Sequence, residues 1–197
     1  WGASDLMLSY RPVVSISLLA DYLLYGTAPW GYHLTNVLLF AACAILTAAL
    51  TLLVCQRLAP RLAGVAAIWS GLLFSCYPLH TETVAWIIGR VDSLATLFYL
   101  AALIFYWRAK QHNTAAFRKI SLLSFILALA SKEIAVSLPG SLFLLSIVYS
   151  LPGKEKFGHI LKRAFKETLP YLAVLALFAL ARHFMLGSVI GGYGKTD

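Results

Sequence analysis

Long apolar stretches alternate with short polar segments along most of the chain. An α-helix needs about 20 apolar residues to cross a bilayer, so each long stretch predicts one membrane span. Only Ser131, Lys132 and Glu133 separate the fourth stretch from the fifth, which predicts a tight helical hairpin or a broken pair of helices. The predicted spans are residues 34–55, 62–78, 92–107, 119–131, 134–151 and 168–187.

The segment "VVSISLLADYLLYG" before the first span is apolar but too short to cross, and it contains Asp21. Trp30 follows it, and tryptophan favours the membrane interface. We therefore predict a helix lying along the bilayer surface, ended by Gly26 and Pro29.

The pattern as a whole predicts an all-α, polytopic integral membrane helical bundle. Its predicted parts are a non-cytoplasmic loop with an interfacial helix (1–33), about six spans (34–187) and the start of a second non-cytoplasmic loop (188–197).

The composition supports a membrane protein. Hydrophobic residues make up 60% of the chain and charged residues 12%, against about 25% charged residues in soluble domains. The net charge of +8 comes from basic residues in short loops, without a basic and aromatic stripe that could follow a phosphate backbone, so we expect no nucleic-acid partner. The three cysteines lie in or beside apolar segments and predict neither a disulfide nor a zinc site.

The positions of the basic residues predict the topology. Loops that stay in the cytoplasm carry an excess of Lys and Arg. The loops after the first, third and fifth spans hold 11 of the 16 basic residues, which predicts that they are cytoplasmic and that any chemistry faces the other side. Both a bacterial inner membrane and an endoplasmic reticulum membrane fit this pattern. The 11 residues are Arg57, Arg61, Arg108, Lys110, Arg118, Lys119, Lys154, Lys156, Lys162, Arg163 and Lys166.

Several ionisable residues lie close together between the second and third spans. A charged side chain near the bilayer centre would cost roughly 2.5 to 3.5 kcal/mol, so these residues need either contact with water or a function. Thr81 is a predicted N-cap of a helix that begins near Glu82. In such a helix Glu82, Trp86 and Arg90 share one face. Two interpretations remain open at this point: the acid and the base pair only with each other, or they belong to a site.

Other polar groups on the same predicted side favour a site. Several cations held at one membrane face suit a phosphate or diphosphate anion, and neighbouring helices would provide an apolar groove for an alkyl tail. Arg11 could bind two oxygens at once, whereas Lys132 would act as a point charge. These features predict a lipid with a phosphorylated headgroup as ligand. The additional polar residues are Arg11, His33, Asn36, Lys132, Glu133, Arg182 and His183.

Three blocks of this sequence resemble a known family. They are "YRPVVSISLLADYLLYGTAPWGYHLTNVLLF", "YPLHTETVAWIIGRVDSLATLFYLAALIFY" and "SKEIAVSLP". In this order and spacing they resemble the membrane portion of the transmembrane and tetratricopeptide-repeat O-mannosyltransferases and their bacterial relatives, which belong to the GT-C class of glycosyltransferases. The resemblance extends from about Trp1 to Pro139, and the family usually has His where this chain has Tyr77.

The resemblance implies a multi-pass membrane enzyme with tetratricopeptide repeats in its full-length form. Such an enzyme moves mannose or a similar hexose from a polyprenyl-phosphate donor to an acceptor protein or glycan on the extracytoplasmic or luminal side. Its catalytic acid is expected upstream of Trp1, so we interpret the chain as a fragment and assign no catalytic residue. By the same resemblance, the predicted donor-phosphate residues are Arg11, His80, Arg90 and Lys132. The predicted orienting or metal-contacting acids are Glu82, Asp92 and Glu133.

We expect no tightly bound cofactor and predict no metal site, and the sequence leaves open whether a divalent ion takes part. A transporter or flippase of lipid-linked sugars is one alternative function. Transporter sites usually lie near the midplane on broken helices with internal repeats, whereas this chain has no visible repeat and its charges cluster at one face. The other alternative is a non-catalytic membrane scaffold whose polar groups only hold helices together.

Overall fold

A computed structural model describes residues 11–78, 80–153 and 155–186, and within these ranges the protein is helical without a β-strand. This confirms the predicted all-α class. Short 3₁₀ turns at Pro60–Leu62 and Glu133–Ser137 precede two of the helices. The α-helices of the described ranges are α1 (Pro12–Tyr25), α2 (Pro29–Leu58), α3 (Ala63–Cys76), α4 (His80–Ala85), α5 (Arg90–His112), α6 (Ala115–Leu129), α7 (Leu138–Ser150) and α8 (Phe157–Leu186).

Four helical segments are long and apolar enough to cross a membrane, which indicates an integral membrane protein. Two further segments, Pro12–Tyr25 and Pro60–Cys76, are apolar but shorter. The predicted total of about six spans therefore stays a prediction. The four long segments are Pro29–Leu58, Arg90–His112, Glu133–Ser150 and Phe157–Phe184.

The predicted helix before the first long span is present as α1. It ends at Tyr25 because Gly26 adopts a positive φ of 60°, a conformation that glycine reaches without the steric cost of a Cβ. Pro29 then opens α2, where its fixed φ suits the first helical turn. The first long helix therefore begins before the predicted residue 34. The interfacial position of α1 stays a prediction.

The last helix, α8, begins at Phe157 and not at the predicted residue 168. Our interpretation of the basic segment before residue 168 as a loop was wrong for the part after Phe157. Ile160, Ala164 and Thr168 are buried, and their spacing of four residues places them on one face of a helix. Lys162 and the other basic residues project from the exposed face, so their charges do not oppose helix formation.

The hydrophobic core lies where α5, α6, α7 and α8 meet. α6 packs mainly against α5, whereas α7 packs against α8, and the chain between α6 and α7 is interrupted by the 3₁₀ turn. The predicted broken pair is therefore the correct interpretation of residues 119–151. On the other side of α5, α2 packs against both α5 and α3. The core residues include Ala102, Leu103, Tyr106, Phe125, Leu129, Leu138, Leu142 and Tyr171.

Candidate functional site

The chain bends sharply between α4 and α5. The predicted helix through Glu82 and Arg90 was wrong, because α4 ends at Ala85 and residues 86–89 form a turn before α5 begins. Gly89 permits this turn: a Cβ there would lie 2.8 Å from the backbone oxygens of Glu82 and Thr83. The N-terminus of α5 is thereby held directly against α4.

The Thr81 prediction was also wrong. Thr81 lies inside α4, and its hydroxyl donates a hydrogen bond to the Pro78 carbonyl over 2.8 Å. The turn after α4 is instead fixed from α2, because the Asn36 side-chain amide donates to the Trp86 carbonyl over 2.8 Å.

Arg90 is fully buried and joins three helices. Its Nη2 lies 2.6 Å from Asp21 Oδ2 of α1, and its Nε donates to Asn36 Oδ1 of α2 over 3.1 Å. Nη1 donates to the carbonyl (3.3 Å) and hydroxyl (3.1 Å) of Ser17, and Nη2 donates to the Tyr32 carbonyl over 3.2 Å. The ionic partner of Arg90 is thus Asp21, and the alternative in which Arg90 pairs with Glu82 was wrong.

The Asp21 carboxylate has a second contact, since the Thr35 hydroxyl donates to its Oδ1 over 2.9 Å. Arg90 does not line the cavity that lies beside the start of α5. Binding of a donor phosphate by Arg90 stays a prediction, and it would require breaking the contacts to Asp21 and its neighbours.

A cavity of about 570 Å³ lies beside the start of α5. Four of the seven predicted site residues line it, although they come from three separate parts of the chain: Arg11, Glu82, Asp92 and Lys132. The rest of the wall is largely apolar. Its apolar residues are Phe40, Cys43, Phe74, Trp86, Ile88 and Val91. A charged end next to an apolar wall suits a ligand with an ionic headgroup and a hydrocarbon chain.

Most charges around the cavity are paired. Lys132 Nζ makes an ion pair with Asp92. Glu133 lies between two arginines: its Oε1 is 3.0 Å from Arg182 Nη1, and its Oε2 is 3.5 Å from Arg11 Nη2. Glu133 is therefore near the cavity through Arg11, although it does not line the wall.

Glu82 differs from the other acids of the site. Among the described residues its side chain has no ion-pair or hydrogen-bond partner, yet it lines the cavity. His80 is the first residue of α4, and the position of its side chain lies outside the described part of the chain. A phosphate contact by His80 stays a prediction.

The sequence places Arg182 among the polar residues on the predicted side of the site, but Arg182 is not one of the predicted donor-phosphate residues. It lies in the last turns of α8, far along the chain from Glu133, and the short segment "ARHF" only marks it as a cation near a span end. Pairing between distant helices cannot be deduced from that pattern. Within residues 11–78, 80–153 and 155–186, no three His, Cys, Asp or Glu residues come together as possible metal ligands.

A second polar cluster lies at the opposite end of α5. Glu167 Oε2 accepts hydrogen bonds from Lys110 Nζ at 2.6 Å, from Tyr106 at 2.7 Å and from Ser146 at 2.7 Å. Lys110 Nζ also lies 5.2 Å from the centre of the Tyr149 ring. This cluster ties α5, α7 and α8 together, and its residues do not line the cavity beside the start of α5.

The sequence is similar to several curated proteins. It is 31% identical to protein O-mannosyl-transferase Tmtc1 of Drosophila melanogaster over 185 residues, which is 93% of this chain and 20% of the relative. It is 33% identical to protein O-mannosyl-transferase TMTC3 of Homo sapiens over 135 residues, 67% of this chain and 14% of the relative. It is 39% identical to human TMTC2 over 98 residues, 50% of this chain and 11% of the relative.

The fold and the similarities together define a helical integral membrane protein with a charged cavity at one end of its bundle. The chain is related by sequence to the protein O-mannosyl-transferases of the transmembrane and tetratricopeptide-repeat type, which confirms the family resemblance. It spans between 11% and 20% of the length of the relatives compared above. No family model matches the chain, and no solved structure matches it.

Proposed function

We propose that the protein is a GT-C glycosyltransferase that moves mannose or a similar hexose from a polyprenyl-phosphate donor to an acceptor protein or glycan. The names of the relatives, protein O-mannosyl-transferases, support sugar transfer to a protein. The observation that carries the proposal is the cavity, in which Arg11 and Lys132 from distant segments share one hollow with aromatic and aliphatic side chains.

Arg11 and Lys132 are the proposed donor-phosphate residues. The planar guanidinium of Arg11 can donate to two phosphate oxygens, and the Lys132 ammonium supplies a point charge in the same cavity. Each cation now contacts a carboxylate, Glu133 or Asp92. A bound phosphate would therefore replace one anionic partner of each cation by another, so that neither cation is left without a counter-charge.

The apolar part of the wall supports a lipid as the carrier of that phosphate. The rings of Phe40 and Phe74 stack with centroids 5.5 Å apart, and both line the cavity. They come from α2 and α3. The first isoprene units of the donor would lie along these rings, so that their apolar surface is removed from water.

The reaction develops charge at the phosphate. The acceptor oxygen forms a bond to C1 of the sugar while the bond between C1 and the phosphate oxygen breaks, and the electron pair leaves with the phosphate. Cations fixed beside the phosphate stabilise this transition state more than the ground state. The acceptor hydroxyl loses its proton to a carboxylate, which the family resemblance implies upstream of Trp1.

Glu82 is proposed to orient the acceptor. It lines the cavity without a described ionic partner, so its carboxylate is available to accept a hydrogen bond from an incoming hydroxyl. Asp92 and Glu133 are instead engaged by cations. We propose that this end of the bundle faces the extracytoplasmic or luminal side, since the basic loops predicted to be cytoplasmic follow the other ends of the long helices.

The test uses the full-length protein in detergent or liposomes, with a radiolabelled polyprenyl-phosphate mannose donor and a peptide acceptor. Arg11→Ala and Lys132→Ala should each raise the KM for the donor by roughly tenfold or more, because each removes a charge-assisted hydrogen bond. Lys119→Ala is the matched control, since Lys119 is an exposed cation on α6 outside the cavity. Its donor KM should stay at the wild-type value.

Wild-type donor KM in both cavity variants would contradict the proposed phosphate site. The same assay in liposomes distinguishes the glycosyltransferase from the two alternative functions, a flippase and a scaffold. A flippase would move the labelled donor across the bilayer without an acceptor, and a scaffold would neither transfer nor move it. Transfer that requires the acceptor and is weakened in both variants supports the glycosyltransferase.

A further inference from the structure

We propose that Arg182 is a positioning residue that keeps Glu133 paired and so releases Arg11 for the donor phosphate. This inference rests on the proposed function. Arg182 has no assigned role, and it does not line the cavity among the described residues, so any effect on the donor must pass through Glu133.

The two arginines hold Glu133 unequally. Arg182 Nη1 donates to Glu133 Oε1 over 3.0 Å, within the normal range of a hydrogen bond. Arg11 Nη2 is 3.5 Å from Oε2, which is too long for a good hydrogen bond. The Arg182 side chain is 9% exposed, against 31% for Arg11. The inner contact is therefore both shorter and less screened by solvent than the outer one.

The more accessible and more loosely held of the two arginines is also the one that lines the cavity. Arg11 Nε is buried without a hydrogen-bond acceptor among the described residues, so this guanidinium retains a donor that an anion could use. A donor phosphate would compete with Glu133 for Arg11. That competition is decided by how well Glu133 is neutralised after Arg11 has turned away.

Arg182 supplies that neutralisation. With Arg182 present, loss of the Arg11 contact still leaves Glu133 with a short, charge-assisted hydrogen bond. Without Arg182, release of Arg11 would leave the Glu133 carboxylate, which is 39% exposed, without a positive partner and only partly solvated, and this costs free energy. Glu133 would then retain Arg11, and the phosphate would bind more weakly.

The experiment measures KM for the polyprenyl-phosphate mannose donor and kcat in the full-length protein at saturating acceptor. Arg182→Gln should raise the donor KM about tenfold, the scale of one charge-assisted hydrogen bond, with kcat within about twofold of wild type. Glu133→Gln alone should lower the donor KM or leave it unchanged, because the neutral amide no longer holds Arg11. The double variant should return to a KM close to wild type.

Arg163→Gln is the matched control, since Arg163 lies on the same helix and pairs with Glu155 at an exposed position. Its donor KM should equal that of wild type. Arg182→Lys retains the positive charge and should show a smaller increase than Arg182→Gln. If Arg182→Gln does not fold, the Arg182→Lys and Glu133→Gln variants still test the proposal, and a raised KM in Glu133→Gln would overturn it.

The failures are distinguishable. If Arg11→Ala raises the donor KM but Arg182→Gln does not, the inference about Arg182 is wrong and the phosphate site remains. If Arg182→Gln raises the KM and the added Glu133→Gln change does not restore it, Arg182 has only a structural role. If Arg11→Ala itself leaves the KM unchanged, the proposed phosphate site is wrong.

Discussion

Asp21 of α1 and Arg90 of α5 form a buried ion pair in which Oδ2 and Nη2 are 2.6 Å apart. The side chains are 5% and 0% exposed, respectively. Because Arg90 also binds backbone and side-chain groups of α1 and α2, this pair fixes the position of the short first helix on the bundle. The wall of the cavity begins at the same end of α5, at Val91 and Asp92.

The first prediction concerns the contribution of this ion pair to the stability of the protein. Asp21→Asn should lower the free energy of unfolding by about 3 kcal/mol or more, because it leaves a buried guanidinium without a counter-charge. Arg90→Lys should also be destabilising, since an ammonium cannot reproduce the divergent contacts of the guanidinium. Thermal unfolding of the detergent-solubilised protein measures both effects.

Glu155→Gln is the control for this prediction. Glu155 pairs with Arg163 over 2.9 Å, but both side chains are largely exposed, and such pairs contribute about 0 to 1 kcal/mol. If the thermal unfolding midpoint of Asp21→Asn differed from that of wild type as little as the midpoint of Glu155→Gln does, the buried pair would have no structural role.

The ionic partner of Arg90 could not be predicted from the sequence alone. The period of an α-helix predicts which residues of one helix share a face, and on that basis Glu82 was placed near Arg90. The actual partner comes from another helix, and only tertiary packing brings it close. The same holds for Arg182 and Glu133, which lie on separate segments.

Features set by local chemistry or by length were predictable. The helical class followed from long apolar stretches, and the end of α1 followed from Gly26. The presence of Arg11 and Lys132 at one cavity followed from alternation: segments on the same side of successive spans meet at the same end of a bundle. The start of α8 was missed because basic residues were interpreted as a loop, although its buried face begins at Ile160.

The second prediction concerns Gly89. In Gly89→Ala the new Cβ would lie 2.8 Å from two backbone oxygens of α4, so the turn between α4 and α5 must open. We expect a loss of about 1 to 3 kcal/mol in the free energy of unfolding, as for other overpacked sites. The melting temperature of the purified protein measures this loss.

Gly64→Ala provides the comparison, since a Cβ at Gly64 would meet nothing within 4 Å. Alanine also has a higher helix propensity than glycine, so this variant should be neutral or stabilised by up to about 1 kcal/mol. Equal melting temperatures for the two variants would mean that the close approach at Gly89 does not constrain the turn.

The third prediction separates the two ends of α5. Glu167→Gln should destabilise the protein by roughly 2 kcal/mol or more, because one carboxylate oxygen accepts three hydrogen bonds and the amide cannot satisfy the Lys110 charge. The donor KM of the folded fraction should remain at the wild-type value, since Glu167 does not line the cavity. A raised donor KM without a change in melting temperature would contradict this division.

The last prediction addresses the lipid part of the donor. Phe74→Ala should remove half of the stacked pair on the cavity wall and raise the KM for a long-chain polyprenyl-phosphate mannose by roughly tenfold, the scale of one buried aromatic contact. With a short-chain donor that does not reach the rings, the same variant should show a KM close to wild type.

Phe105→Ala is the control, because Phe105 stacks on Phe117 at a centroid distance of 6.2 Å and neither residue lines the cavity. Since Phe105→Ala also truncates a stacked phenylalanine, a loss that depends on chain length in Phe74→Ala alone identifies the lipid contact. An equal loss with both donors would mean that the Phe40 and Phe74 pair serves the shape of the cavity and not the isoprenoid.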